Sequence, residues 1–234
     1  MEHVSRWDHC VEPTSVERGE RLFFFSKLAH DNWMNCHSCH SHGHTNGQLN
    51  DNLTDESFGT PKKIMSLLGQ AQTMPYSWSG KFKTIEEQVQ HSIRSTMATE
   101  VRISPQVIKD IAEYVRALPA PPSLTEARQS LPMPAEKVDL AEGRKLFEQL
   151  NCTECHSGAL YTSNQRVDVD LTDEVGMHEF NPPSLIAVSQ RQNALFHDGR
   201  ARSLREVLEK YQHQMPRELT ELERNRLEQF LRSL

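Results

Sequence analysis

Residues 35–44 read NCHSCHSHGH, and residues 151–160 read NCTECHSGAL. In the first stretch Cys36 and Cys39 are followed at once by His40, and in the second Cys152 and Cys155 are followed by His156. Two thiols on one turn can add across the two vinyl groups of a porphyrin, and the adjoining imidazole then meets its iron. C-x-x-C-H is therefore the signature of covalent c-type haem attachment. Two copies predict two covalently bound haem c, held by Cys36, Cys39, Cys152 and Cys155. His40 and His156 are the expected proximal iron ligands.

Two other chemistries compete. Structural zinc needs four converging ligands, and C-x-x-C pairs in zinc sites lie roughly 15–20 residues apart. Here 112 residues separate the pairs, and zinc gives no reason for a histidine after each one. A redox dithiol needs one C-x-x-C on a βαβ frame, and no such frame is visible. Haem attachment is favoured. The fifth cysteine, Cys10, reads as a free thiol in an N-terminal arm. His37 fills a free x position of its motif. His42 and His44 read as solvent-facing or near a haem edge, with a ligand role open.

The composition agrees with a bound prosthetic group. The chain has 234 residues, enough for one large domain or two small ones. Hydrophobic residues make up only 36% and the mean hydropathy is −0.65, low for a core built from side chains alone. A net charge of −6 points away from nucleic acid. The longest apolar run, LFFF at 22–25, is far too short to span a membrane, and no signal peptide is visible at the start.

The elements that must position the two motifs occur twice. Cys36 and Cys152 are 116 residues apart, and LTDE recurs at 53–56 and 171–174. SWSGKFKTIEEQV (77–89) aligns with FHDGRARSLREVL (196–208), and ISPQVIKDIAEYVRAL (103–118) with LTELERNRLEQFLRSL (219–234). Between the halves, residues 118–136 hold five prolines and read as a strap. The organisation expected is 1–118 with haem 1, a linker at 119–136, and 137–234 with haem 2.

Each half reads as helical, with little strand. Thr14 with Glu17, Asp139 with Glu142, and Thr220 with Glu223 are spaced as capping boxes, and Ser104-Pro105 starts a further helix. That helix carries an apolar stripe of Ile103, Val107, Ile108, Ile111, Val115 and Leu118. Its partner in the second half is expected to turn Leu219, Leu222, Leu227, Phe230 and Leu234 inward. Gly19 and Gly143 could let each opening helix approach Tyr114 or Phe230 closely, and ordinary core contacts fit equally.

The second axial ligand decides what a haem can do: methionine favours a high potential, bis-histidine a lower one, and an open site admits peroxide. The loop RSTMATEVR offers Met97, the one thioether or imidazole before the first closing helix, with a gap-filling core methionine as the bland reading. In YQHQMPREL the register favours His213, with Met215 and Tyr211 behind it.

Helix, C-x-x-C-H, loop, helix, loop and closing helix resemble the class I cytochrome c fold in two copies. The stretch NPPSLIAVSQRQNALFHDGRARSLREVLEKY (181–211) resembles the bacterial di-haem cytochrome c peroxidase and MauG family, and SWSGKFKTIEEQ (77–88) resembles that family's F-W-D-G-R-x-x-x-L-E-x-Q. The resemblance implies that Trp78 lies between the two haems, that His197 sits near haem 2, and that Tyr211 stands where MauG has a tyrosine ligand. Packing at a domain interface is the alternative for Trp78 and His197. The sequence also departs from the peroxidases. Their catalytic glutamate would fall near Ala98, Glu100 is out of register, and Met97 stands almost at that place.

The expected function is that of an all-α, di-haem c-type cytochrome in electron transfer, with both irons six-coordinate. The alternatives are a peroxidase or MauG-type haem enzyme, and a non-redox use of haem as structural core or sensor. The expected location is periplasmic or otherwise extracytoplasmic. The expected partners are redox proteins. The resemblance also admits the chain as a piece of a longer protein.

Overall fold

The structure is a computed structural model that describes residues 12–122, 140–191 and 194–234. Cys10, the Asp139 cap and most of the proline-rich strap lie outside the described residues.

Local capping sets where the helices begin. α1 (Ser15–Phe23) starts on a closed box, in which Thr14 Oγ1 accepts from Glu17 N–H at 3.2 Å and Glu17 Oε2 accepts from Thr14 N–H at 2.7 Å. α2 (Cys36–Cys39) is the single turn that carries the first haem motif. α3 (Ile85–His91) is capped by Thr84 and runs into a π-turn over Ser92–Thr96. α4 (Pro105–Ala117) starts on Ser104 with proline in its first turn, where no intrahelical N–H is lost.

In the second half, α5 (Leu140–Gln149) precedes a 3₁₀ turn over Cys152–Glu154, which carries the second motif. α6 (Leu204–Glu209) and α7 (Glu221–Ser233) follow, the latter on the Thr220–Glu223 box. Among the described residues strand is limited to two short antiparallel ribbons. One pairs β1 (Leu49–Asn50) with β2 (Lys62–Lys63), and the other pairs β3 (Val167–Asp168) with β4 (Glu179–Phe180).

Each half buries its own apolar cluster. In the first, Leu28, Ile85, Ile93, Met97, Ile111 and Val115 pack together. In the second, Leu146, Phe147, Leu204, Leu227, Phe230 and Leu231 do so. The opening helix lies on the closing helix in both, α1 on α4 and α5 on α7. The glycines permit this. A Cβ at Gly19 would stand 2.8 Å from Tyr114 Cβ and collide with the Asp110 carbonyl, and one at Gly143 would stand 2.6 Å from Phe230 Cβ.

One stripe residue is corrected. Leu222 is 59% exposed, and Leu231 takes the inward place that the sequence reading left out. Leu222 lies five residues before Leu227, which turns it about 140° around the helix from that buried face.

The two halves meet along a seam that uses matching positions from each. Lys63 N–H donates to His197 O at 2.6 Å, and Asn181 N–H donates to Trp78 O at 2.8 Å. Trp78 and His197 stand at the same place in the two aligned turns. Each turn is closed by an isolated antiparallel bridge, Tyr76 with Phe82 and Leu195 with Ala201.

Candidate functional site

Each C-x-x-C-H motif lines its own cavity. The first encloses about 1370 Å³ of empty space, mouth included, and carries Cys36, Cys39, His40 and Met97 on its wall. The second encloses about 1230 Å³ and carries Cys152, Cys155, His156, His197, His213 and Met215. The four thiols therefore do not converge on one point, as zinc would require.

The two motif imidazoles are held alike. His40 Nδ1 lies 3.0 Å from Met65 O, and His156 Nδ1 lies 3.1 Å from Tyr161 O. A carbonyl can only accept, so Nδ1 carries the proton and Nε2 keeps its lone pair. Burial pushes both imidazoles down to about 4, which leaves them neutral near pH 7. This is how a protein orients a histidine for iron: one ring nitrogen anchored to backbone, the other free to ligate. Burial also pushes the Cys36 thiol up to about 12 and Cys152 up to about 11. Those thiols stay protonated near pH 7, which makes them poor redox groups. The donor sets of both cavities fit haem c.

The distal candidates separate by position. Met97 is buried, at 4% exposure, and lines the first cavity. The residue after it, Ala98, has φ of 50° and turns the chain away. His213 and Met215 both line the second cavity, and burial lowers the His213 pKa. Tyr211 is absent from that wall, and its hydroxyl donates to Arg200 O at 3.0 Å. Glu100 is 79% exposed and pairs with His30 Nδ1 at 3.1 Å, away from the first cavity. Among the described residues no carboxylate lines either cavity.

His37, His42 and His44 line neither cavity. The rings of His37 and His42 meet edge-on with centroids 4.6 Å apart. His44 Nδ1 lies 2.7 Å from Ser66 Oγ, and its Nε2 reaches Gln190 O in the other half at 3.4 Å.

Trp78 lines both cavities. Its Nε1 donates to Lys63 O at 2.8 Å, and its ring meets His197 edge-on at 6.5 Å. His197 in turn stacks on Phe180 at 4.1 Å and 13°, and its Nε2 is buried without a hydrogen-bond partner among the described residues. A continuous route of aromatic rings and peptide hydrogen bonds thus joins the cavities.

The comparisons with known proteins bear on the family. Residues 13–128 match the family model CCP_MauG, described as di-haem cytochrome c peroxidase. Over that stretch, just under half of the chain, the protein is similar to the di-haem cytochrome c peroxidase and MauG family. The match supports a di-haem protein, and the structure is mostly helical. Solved structures share the fold at low identity. A chain of hydrazine synthase from Kuenenia stuttgartiensis aligns with TM-score 0.76 and 22% identity, over 98% of this chain and 90% of that one. A MauG-like protein associated with microbial copper homeostasis gives 0.72 and 17%, over 98% and 91%. The di-haem peroxidase BthA from Burkholderia thailandensis gives 0.64 and 16%, over 95% and 86%. No curated protein sequence matches. Among the described residues no helix is long and apolar enough to cross a membrane.

Sequence reasoning missed the seam residues. Lys62 and Lys63 look like an exposed basic pair, yet both are buried. The repeated LTDE was the available signal, because Asp55 and Asp173 both face Lys62.

Proposed function

We propose that this chain is a di-haem c-type cytochrome of two tandem class I cytochrome c-like domains, 1–118 and 137–234 joined by a linker at 119–136, that passes single electrons. Cys36, Cys39, Cys152 and Cys155 attach the two haems. His40 and His156 are the proximal ligands, and Met97 and His213 complete six-coordination. Haem iron, when bound, supplies a reversible one-electron couple. The chain does the rest: it anchors each imidazole through Nδ1, surrounds each ring with apolar side chains, and sets Trp78 against both cavities. Because haem c is attached outside the bacterial cytoplasm, the reading places the protein in the periplasm or beyond, with redox proteins as partners.

The observation that carries this reading is Met97. A buried thioether shares the first cavity with His40, and among the described residues no carboxylate lines that cavity to handle a peroxide proton. The test is an optical and electron-paramagnetic spectrum of the resting protein, with denaturing mass spectrometry for stoichiometry. Two haem masses and two low-spin signals are expected. A zinc-bearing or single-haem species overturns the reading.

A peroxidase reading has one observation in its favour besides the family match. Gln88 lines the first cavity, and its Oε1 is buried without a hydrogen-bond partner among the described residues, so a polar atom is available there to a bound peroxide. That reading requires Met97 to leave the iron. Rapid mixing with peroxide decides: turnover well above about 1 per second would establish the enzyme.

A further inference from the structure

Lys63 lines the first cavity and is 6% exposed. Alternation along β2 sends its side chain away from Lys62, which is committed to Asp55 and Asp173. Lys63 has no such partner. Its N–H and C=O are engaged by His197 and Trp78, but no hydrogen bond or ion pair reaches its ammonium among the described residues. The charged group it feels is Arg191, a second cation, and burial together with that neighbour lowers its pKa. Arg191 itself spends one nitrogen on carbonyls, donating to Ser184 O and to Ile186 O, the latter at 2.9 Å.

A buried ammonium beside a half-buried arginine is costly unless an anion answers them. Among the described residues no carboxylate lines that cavity, and the other charged residue on its wall, Lys62, is itself a cation. The repeat sharpens the contrast. Asn181, which holds the place of Lys63 in the second half, is neutral, and its Nδ2 donates to Pro75 O at 2.5 Å. The cation is therefore particular to the first cavity.

We propose that Lys63, backed by Arg191, is the receptor for a carboxylate of the group held in the first cavity, the haem propionate. This inference rests on the haem reading above. Lys63 is then a cofactor-binding residue that neutralises the propionate and raises the potential of the first haem relative to an unpaired site, because positive charge near iron favours the ferrous state.

The test is a spectroelectrochemical titration of the holoprotein with Lys63→Met and Lys63→Arg. Both variants are first checked for two haem masses, so a failure of haem attachment is read separately. Lys63→Met should lower the midpoint potential of the first haem alone, and Lys63→Arg should restore most of it. A Lys63→Met protein with both haems bound and an unmoved first potential overturns the assignment. So does an equal shift at both haems, or a wild-type potential that follows added phosphate or chloride and thereby places a solution anion at Lys63. Should Lys63→Met not fold, Lys63→Gln carries the same test with the same outcomes.

Discussion

Lys62 Nζ lies 2.9 Å from Asp173 Oδ2 across the seam, with both side chains buried. The same ammonium reaches Asp55 Oδ2 at 3.3 Å and donates to Thr60 O at 2.9 Å. Asp55 and Asp173 are the aspartates of the two LTDE copies, so a repeated tetrapeptide closes on one shared cation. Removing that cation strands two buried carboxylates. Lys62→Met should cost about 3–5 kcal/mol in urea unfolding. A loss below about 1 kcal/mol would mean that the seam does not depend on the triad.

Acid should open the same triad. Burial disfavours the Asp55 carboxylate, but hydrogen bonds from Thr60, Ser57 and Lys62 outweigh it and hold the group at about 2. Its folded pKa is thus below its unfolded one. The stabilisation is full above about pH 4 and is lost as pH falls toward about 2, with a size of about 2 kcal/mol. Asp55→Asn should flatten the pH dependence of unfolding in that window and leave it unchanged above about pH 5.

Met97 sets the state of the first haem in the proposed reading. Met97→Gly should produce a high-spin fraction and some peroxidase activity, both measurable by absorbance and stopped-flow. An unchanged low-spin spectrum would show that another group caps the iron.

At the second haem, position separates three side chains. Tyr211 bonds to Arg200 O outside the cavity, so Tyr211→Phe should leave the spectrum unchanged. His213→Ala should perturb the second haem alone. If Met215, on the same wall, replaces it, the spectrum should change to a methionine-ligated type without turning high-spin.

Helix approach gives a prediction independent of haem chemistry. Gly19→Ala and Gly143→Ala each force a methyl group into the opposing backbone carbonyl, of Asp110 and of Arg226. Each should destabilise its own half by about 1–3 kcal/mol by calorimetry. Gly47, where a Cβ would meet nothing within 4 Å but φ is +77°, serves as a control for backbone strain without collision.

Much was legible because it was local. Thr14–Glu17 and Thr220–Glu223 are three residues apart, and a capping box needs only that spacing. The C-x-x-C-H motifs carry their chemistry within five residues. The repeat is legible because aligned stretches keep their order and spacing. Leu222 misled because apolarity was counted without its phase around the helix.

Sequence by itself determined where the two C-x-x-C-H motifs stand and where the helices begin, since those properties reside in neighbouring residues. Only the tertiary structure decided what faces what. Tyr211, His213 and Met215 lie within five residues, yet left-handed turns at Gln212 and Gln214 separate them, with the phenol on Arg200 and the other two on the cavity wall. Lys62 and Lys63 are adjacent and identical in type. Strand alternation gives one of them two aspartates and leaves the other without any carboxylate among the described residues. Distances between segments more than a hundred residues apart, such as Lys62 to Asp173 or Trp78 to His197, arise from packing the halves together, and no local pattern encodes them.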